Sequence, residues 1–134
     1  MDIALSSNSP IAALELREIQ RYADGSGFAT LLVVRSGGFA AALPFYFEPP
    51  CLTEFVHALK GMDRSLSGSA TLKPMWEPQF VTMELDHRGH VRVFGELVES
   101  KEHEQRLQFS FETDQTCLRQ FAADLEACQS LAAI

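Results

Sequence analysis

Residues 85–97, LDHRGHVRVFGEL, hold the only closely spaced histidine pair in the chain, His87 and His90, with Asp86 beside them. Imidazoles and a carboxylate at such spacing can bind a metal ion or act as general acid and base. Strand parity gives a third reading. Val81, Met83 and Leu85 alternate before the turn, and Val91, Val93 and Leu97 after it. A slip of one residue would send the two sets to opposite faces. A two-residue loop at Arg88-Gly89 pairs Leu85 with Arg92 and mixes the faces. A three-residue loop, His87-Arg88-Gly89, pairs Leu85 with Val91 and Met83 with Val93. It also puts glycine at the last loop position, where the backbone turns left-handed. Asp86 then opposes His90 and Glu84 opposes Arg92, both favourable cross-strand pairs. The stretch is therefore read as a hairpin with His87 at its tip and His90 on the outer face. No Cys/His partner stands at zinc-finger spacing. His57 falls in a helix and His103 in a polar loop, and neither is assigned chemistry.

Nucleophilic catalysis needs a nucleophile, a base and an orienting group. The chain has no GxSxG, and Ser65-Leu66-Ser67-Gly68-Ser69 reads as a solvated connection. Gly25-Ser26-Gly27 and Gly37-Gly38 lack the GK[ST] ending of a phosphate-binding loop. No carboxylate pair is marked as buried, so a glycosidase-like dyad is not supported. No catalytic residue, metal or cofactor is assigned, and the expectation is a non-enzymatic protein.

The face turned away from the core is more informative. If the odd positions of 79–85 face inward, Phe80, Thr82, Glu84 and Asp86 face out. Arg92, Phe94, Glu96 and Val98 share that face on the next strand, and Gln108, Ser110 and Glu112 on the one after. Phe80 and Phe94 among Glu84, Asp86, Glu96 and Glu112 make an aromatic and acidic surface, which suits a basic protein partner. The competing reading is that another element or a second copy covers the phenylalanines. Trp76, the only tryptophan, lies between Pro74 and Pro78 in a connection, where a tryptophan can anchor a partner or fold back on the core rim.

These residues must be positioned by a run of strands. Segments 12–20, 28–35 and 39–47 read as strands, the last at a sheet edge or bulged at Pro44, which cannot donate to a ladder. Pro49-Pro50 opens a helix, prolines being tolerated in the first turn. Leu52, Phe55, Val56 and Leu59 then form its apolar stripe, and Gly61 reads as its C-cap. Strands follow at 68–73, 79–86, 90–98 and 105–112. A helix from about 114 to 131 closes the chain, capped by Thr113 or Asp114. Its apolar face holds Cys117, Phe121, Leu125, Cys128 and Ala132, widened by Leu118 and Ala122, so both helical cysteines read as small core hydrophobes. No internal repeat is evident.

A chain of 134 residues suggests one domain, residues 1–134, large enough to bury a core without disulfide or metal. The net charge of −7 would repel a phosphate backbone, so no nucleic-acid partner is expected. Three cysteines, Cys51, Cys117 and Cys128, with no CxxC, argue against a secreted disulfide framework. MDIALSSNSP has no basic n-region and no long apolar run. The expectation is a cytoplasmic protein with no membrane association.

The layout resembles the WapI-like immunity proteins of bacterial contact-dependent or polymorphic toxin systems. The resemblance covers most of residues 11–131. It rests on the helix PPCLTEFVHAL, the meander with HRGHVRVFGEL and LQFSFE, and the closing helix TDQTCLRQFAADLEA. Its motifs are a GHV after a hairpin turn and two LxxFxxxL helices, which specify packing rather than chemistry. The resemblance implies a small acidic cytoplasmic protein that binds and neutralises a cognate toxin domain. No functional residue is carried over from it.

The expected fold is α+β, in the order βββαββββα. It has a mostly antiparallel, curved sheet of six or seven strands with two helices on one face, covering Val81, Met83, Leu85, Val91, Val93, Leu107, Phe109 and Phe111. Three functions fit: an immunity protein contacting a basic partner through Phe80, Glu84, Asp86, Phe94, Glu96, Glu112 and Trp76; a ligand-binding protein or enzyme with a pocket between sheet and helices; or a structural homodimer formed through the 39–47 edge or the outer face.

Overall fold

A computed structural model describes residues 1–133. The elements are β1 (Ile3–Ser6), β2 (Ala12–Arg21), β3 (Phe28–Ser36), β4 (Phe39–Phe47), α1 (Pro49–Ser65), β5 (Gly68–Leu72), β6 (Phe80–Leu85), β7 (His90–Ser100), β8 (Glu104–Asp114) and α2 (Gln115–Cys128). The α+β class, the antiparallel pairing and the two helices are as expected. Among the described residues the strands number eight rather than six or seven, and they form two four-stranded sheets, β1-β2-β3-β4 and β5-β6-β7-β8. The order is therefore ββββα twice over, a repetition of topology that the sequence does not display as a repeat.

The added strand, β1, pairs with β2, matching Ile3 to Leu16 and Leu5 to Leu14. On β2 the inward positions are Ala12, Leu14 and Leu16, then Ile19. Parity switches because a bulge between Arg17 and Gln20 places two residues opposite one. Glu18 sits in the bulge at φ 53°, and its N–H donates to Asp2 Oδ1 at 2.8 Å. This switch is why the alternation of residues 12–20 is weak. Of the two alternatives that Pro44 allows, β4 takes the edge position, paired without a bulge, and it buries Leu43, Phe45 and Phe47.

Pro49 and Pro50 occupy the first turn of α1, which buries Leu52, Phe55, Val56, Leu59 and Met62. Gly61 is not the C-cap. The helix runs on to Ser65, and Leu66 caps it in the left-handed conformation at φ 59°, its N–H donating to Met62 O at 2.8 Å. Burial of Met62, one residue past Gly61, carries the helix through the glycine. α2 ends at Cys128, three residues short of expectation, and buries Leu118, Phe121, Ala122, Leu125 and Cys128. Cys117 is half-buried and Ala132 exposed. The helices pack on each other through Phe55 and Phe121, edge to face with centroids 6.5 Å apart. α1 also packs on β5, and α2 on β1, β7 and β8, so the helices bridge the sheets. One core cluster runs through all of these elements. Of the inward positions expected on β6–β8, all are buried except Leu107, which is half-buried at the far end of β8.

Candidate partner-binding surface

The β6–β7 hairpin has the three-residue loop that parity requires. Leu85 pairs with Val91, Met83 with Val93 and Glu84 with Arg92. Gly89 adopts φ 81°. Asp86 closes the turn: its N–H donates to His90 O at 2.9 Å, and its Oδ1 accepts from Arg88 N at 2.8 Å and His90 N at 3.0 Å. These backbone donors hold the Asp86 carboxyl below the usual carboxylate range, with a smaller contribution from the charges of His90 and His87. His90 Nδ1 lies 4.0 Å from Asp86 Oδ2, and His87 is exposed at the tip. Asp86 thus serves the turn, and it stands apart from the aromatic residues with which sequence parity grouped it. Among the described residues no three His, Cys, Asp or Glu side chains converge as a metal site. His57 and His103 are exposed.

The outer face of β6–β8 resolves into cross-strand rows. Glu84, Arg92 and Glu112 form one, Thr82, Phe94 and Ser110 the next, and Phe80, Glu96 and Gln108 the third. Phe80, Phe94 and Glu96 line one depression of about 350 Å³. Both phenylalanines are half-buried rather than free. The Arg92 guanidinium lies 4.2 Å from the Phe94 ring centroid, and Arg92 Nε donates to Ser110 Oγ at 3.3 Å. Glu96 pairs with Arg106 and accepts from Gln108 Nε2 at 3.4 Å. Arg106 first, then Gln108, draws the Glu96 carboxyl below its ordinary range. The acid-and-aromatic face is therefore mixed in charge at its centre, because Arg92 and Arg106 fold onto it. Glu84 and Glu112 form no ion pair among the described residues. Thr82 and Val98, also expected to face out, are buried.

Trp76 is 82% exposed and does not fold back on the core rim; Met75 beside it is 74% exposed. The connection that carries them is pinned at several points. Met75 N–H donates to Glu48 Oε2 at 3.4 Å, Lys73 Nζ to Glu77 O at 3.2 Å, and Gln79 Nε2 to Glu77 Oε2 at 3.1 Å. With Pro74 and Pro78 this displays the indole on an ordered turn. The turn leaves the sheet at the Leu72–Val81 end, the end at which Phe80 and Glu96 pair.

Ile11 and Phe39 are among the exposed apolar residues that the sequence did not single out. Phe39 has the parity of the buried Leu43, Phe45 and Phe47, so alternation alone assigns it to the core. Its position directly after Gly37-Gly38, at the tip of a hairpin, is the available signal that it projects past the core.

The immunity protein WapI-like family model matches residues 6–130. No curated protein matches the chain. Among solved structures, a chain of the trypanosoma bruciei MRP1/MRP2 crystal structures is similar, with a TM-score of 0.53 and 9% identity. The match covers 96% of this chain and 82% of that one. At that identity the likeness concerns the fold alone.

Proposed function

Because the chain belongs to the immunity protein WapI-like family, we propose that it neutralises a cognate toxin domain by binding it directly, with no chemistry of its own. The family match carries this reading. The binding surface we propose is the outer face of β6–β8 around Phe80, Phe94 and Glu96, flanked by Glu84 and Glu112, with Trp76 as an anchor at its end. A half-buried aromatic centre with a charged rim is the usual anatomy of an interface core, and tryptophan is enriched among hot spots. The net charge of −7 favours a basic toxin domain and speeds its encounter.

The test is protection by co-expression with the toxin domain encoded beside this gene, together with size-exclusion analysis of the purified pair. Survival and a stoichiometric complex are expected. Survival without any complex would point to an enzymatic antidote. A gene neighbourhood with no toxin would overturn the assignment.

A further inference from the structure

Where the loops of the first sheet lie against the end of β8, they enclose a groove of about 710 Å³. Ser36 Oγ donates to Ser110 O at 3.0 Å and Asn8 Nδ2 to Asp114 Oδ2 at 2.7 Å, which holds the walls together. Ile11, 58% exposed, and Phe39, 69% exposed, both line it. Gly37 and Gly38 form a wall without side chains, and a Cβ added at either would meet nothing within 4 Å, so a partner backbone can approach closely.

The charged lining is acidic. Glu112 and Asp114 reach it from β8, with His90 beside them and no lysine or arginine. Arg92 is the cross-strand neighbour of Glu112, yet it is drawn away to Phe94 and Ser110. Among the described residues neither Glu112 nor Asp114 has an ion pair. Ser110 lines both this groove and the Phe94 depression, so the two adjoin there.

We propose that the groove receives a segment of a partner protein in which an apolar side chain stands beside a lysine or arginine. The apolar group packs on Ile11 and Phe39, and the cation faces Glu112 and Asp114. The same carboxylates repel a phosphate backbone. That this partner is a toxin rests on the family reading; the groove's preference for such a segment does not.

The test is an amide NMR titration of the full chain with acetyl-Gly-Leu-Arg-Leu-Gly-amide, with a counterpart carrying Glu in place of Arg, and with spermidine. The Arg peptide is expected to shift the amides of Ile11, residues 37–39 and residues 112–114, saturably and less at high salt. The Glu112→Gln/Asp114→Asn double variant should weaken it about threefold, and Ile11→Ser/Phe39→Ser should weaken it comparably. All four side chains are at least partly accessible, and unchanged shifts elsewhere confirm that the variants fold. Equal binding of the Glu peptide would overturn the proposal. So would shifts elsewhere only, or none. So would spermidine binding as well as the Arg peptide with no effect of the Ile11/Phe39 variant, since that describes a cation site alone. No toxin is present in this titration, so its failure leaves the protection experiment standing, and the reverse holds too.

Discussion

Replacing Gly95 with alanine should destabilise the protein and disturb the outer face together. Gly95 lies in β7 opposite Val81 and Phe109. A Cβ there would stand 2.1 Å from Phe80 O and 3.1 Å from both Phe80 C and Val81 Cα. All three atoms are backbone, so no side chain can rotate aside, and β6 must move by roughly 1 Å to restore contact distance, an overpacking displacement. Strained ladder hydrogen bonds cost about 1 kcal/mol each, and overpacking in a tight site about 1–3 kcal/mol. Against this, alanine restricts the unfolded chain and returns about 0.5–1 kcal/mol. The net expectation is a loss of about 2 kcal/mol, or about 6–10 °C in Tm for a domain of this size. Urea and thermal unfolding followed by circular dichroism measure it. Gly61→Ala is the matched control of opposite sign. Gly61 lies inside α1 with nothing within 4 Å of an added Cβ, so alanine should stabilise by about 1 kcal/mol. Gly95→Ala within about 0.5 kcal/mol of wild type would refute the close approach of β6. A destabilised Gly61→Ala would return the helix end to Gly61.

Four further outcomes are expected. Trp76→Ala should leave stability within about 0.5 kcal/mol, because the indole is 82% exposed, while weakening toxin binding by about 2 kcal/mol or more in calorimetry; full affinity would remove Trp76 from the interface. Leu66→Gly should raise stability by about 0.5–1 kcal/mol by relieving the left-handed cap at φ 59°, read as a higher urea midpoint. Asp63 of α1, which accepts from Arg119 and Gln115 of α2, has a folded pKa below its unfolded one, as do Asp86 and Glu96, so their stabilisation is present above the unfolded pKa and lost as pH falls through the folded one. The urea midpoint should therefore decline as pH falls below about 5, and less steeply in Asp86→Asn; an identical slope in that variant would deny Asp86 its share. The Cys128 thiol is pushed up to about 11 by burial, so Ellman's reagent at pH 8 should modify it no faster than the chain unfolds.

Local spacing determined much of this protein. The three-residue hairpin loop follows from the parities of Leu85 and Val91. The two helices follow from Leu52, Phe55 and Leu59 and from Leu118, Phe121 and Leu125, and Pro44 narrows β4 to an edge or a bulge. Each depends on period and backbone chemistry within one element or one turn, which a sequence carries directly. Short or interrupted signals failed. β1 offers only Ile3 and Leu5 as inward residues, the Glu18 bulge reverses parity inside β2, and Gly61 marks a stop that Met62 overrides by burial. The candidate surface was legible as a set of outward residues and illegible as an electrostatic surface. Strand parity placed Phe80, Phe94 and Glu96 together. Only the paired sheet showed Arg92 over Phe94, Arg106 on Glu96 and Asp86 committed to its own turn. The division into two sheets, and the groove where Ile11 and Phe39 meet Glu112 and Asp114, were decided by the tertiary structure. They join residues more than a hundred positions apart, such as Asn8 and Asp114, and no periodicity within a strand records which distant strand, or which of two nearby charges, a side chain will meet.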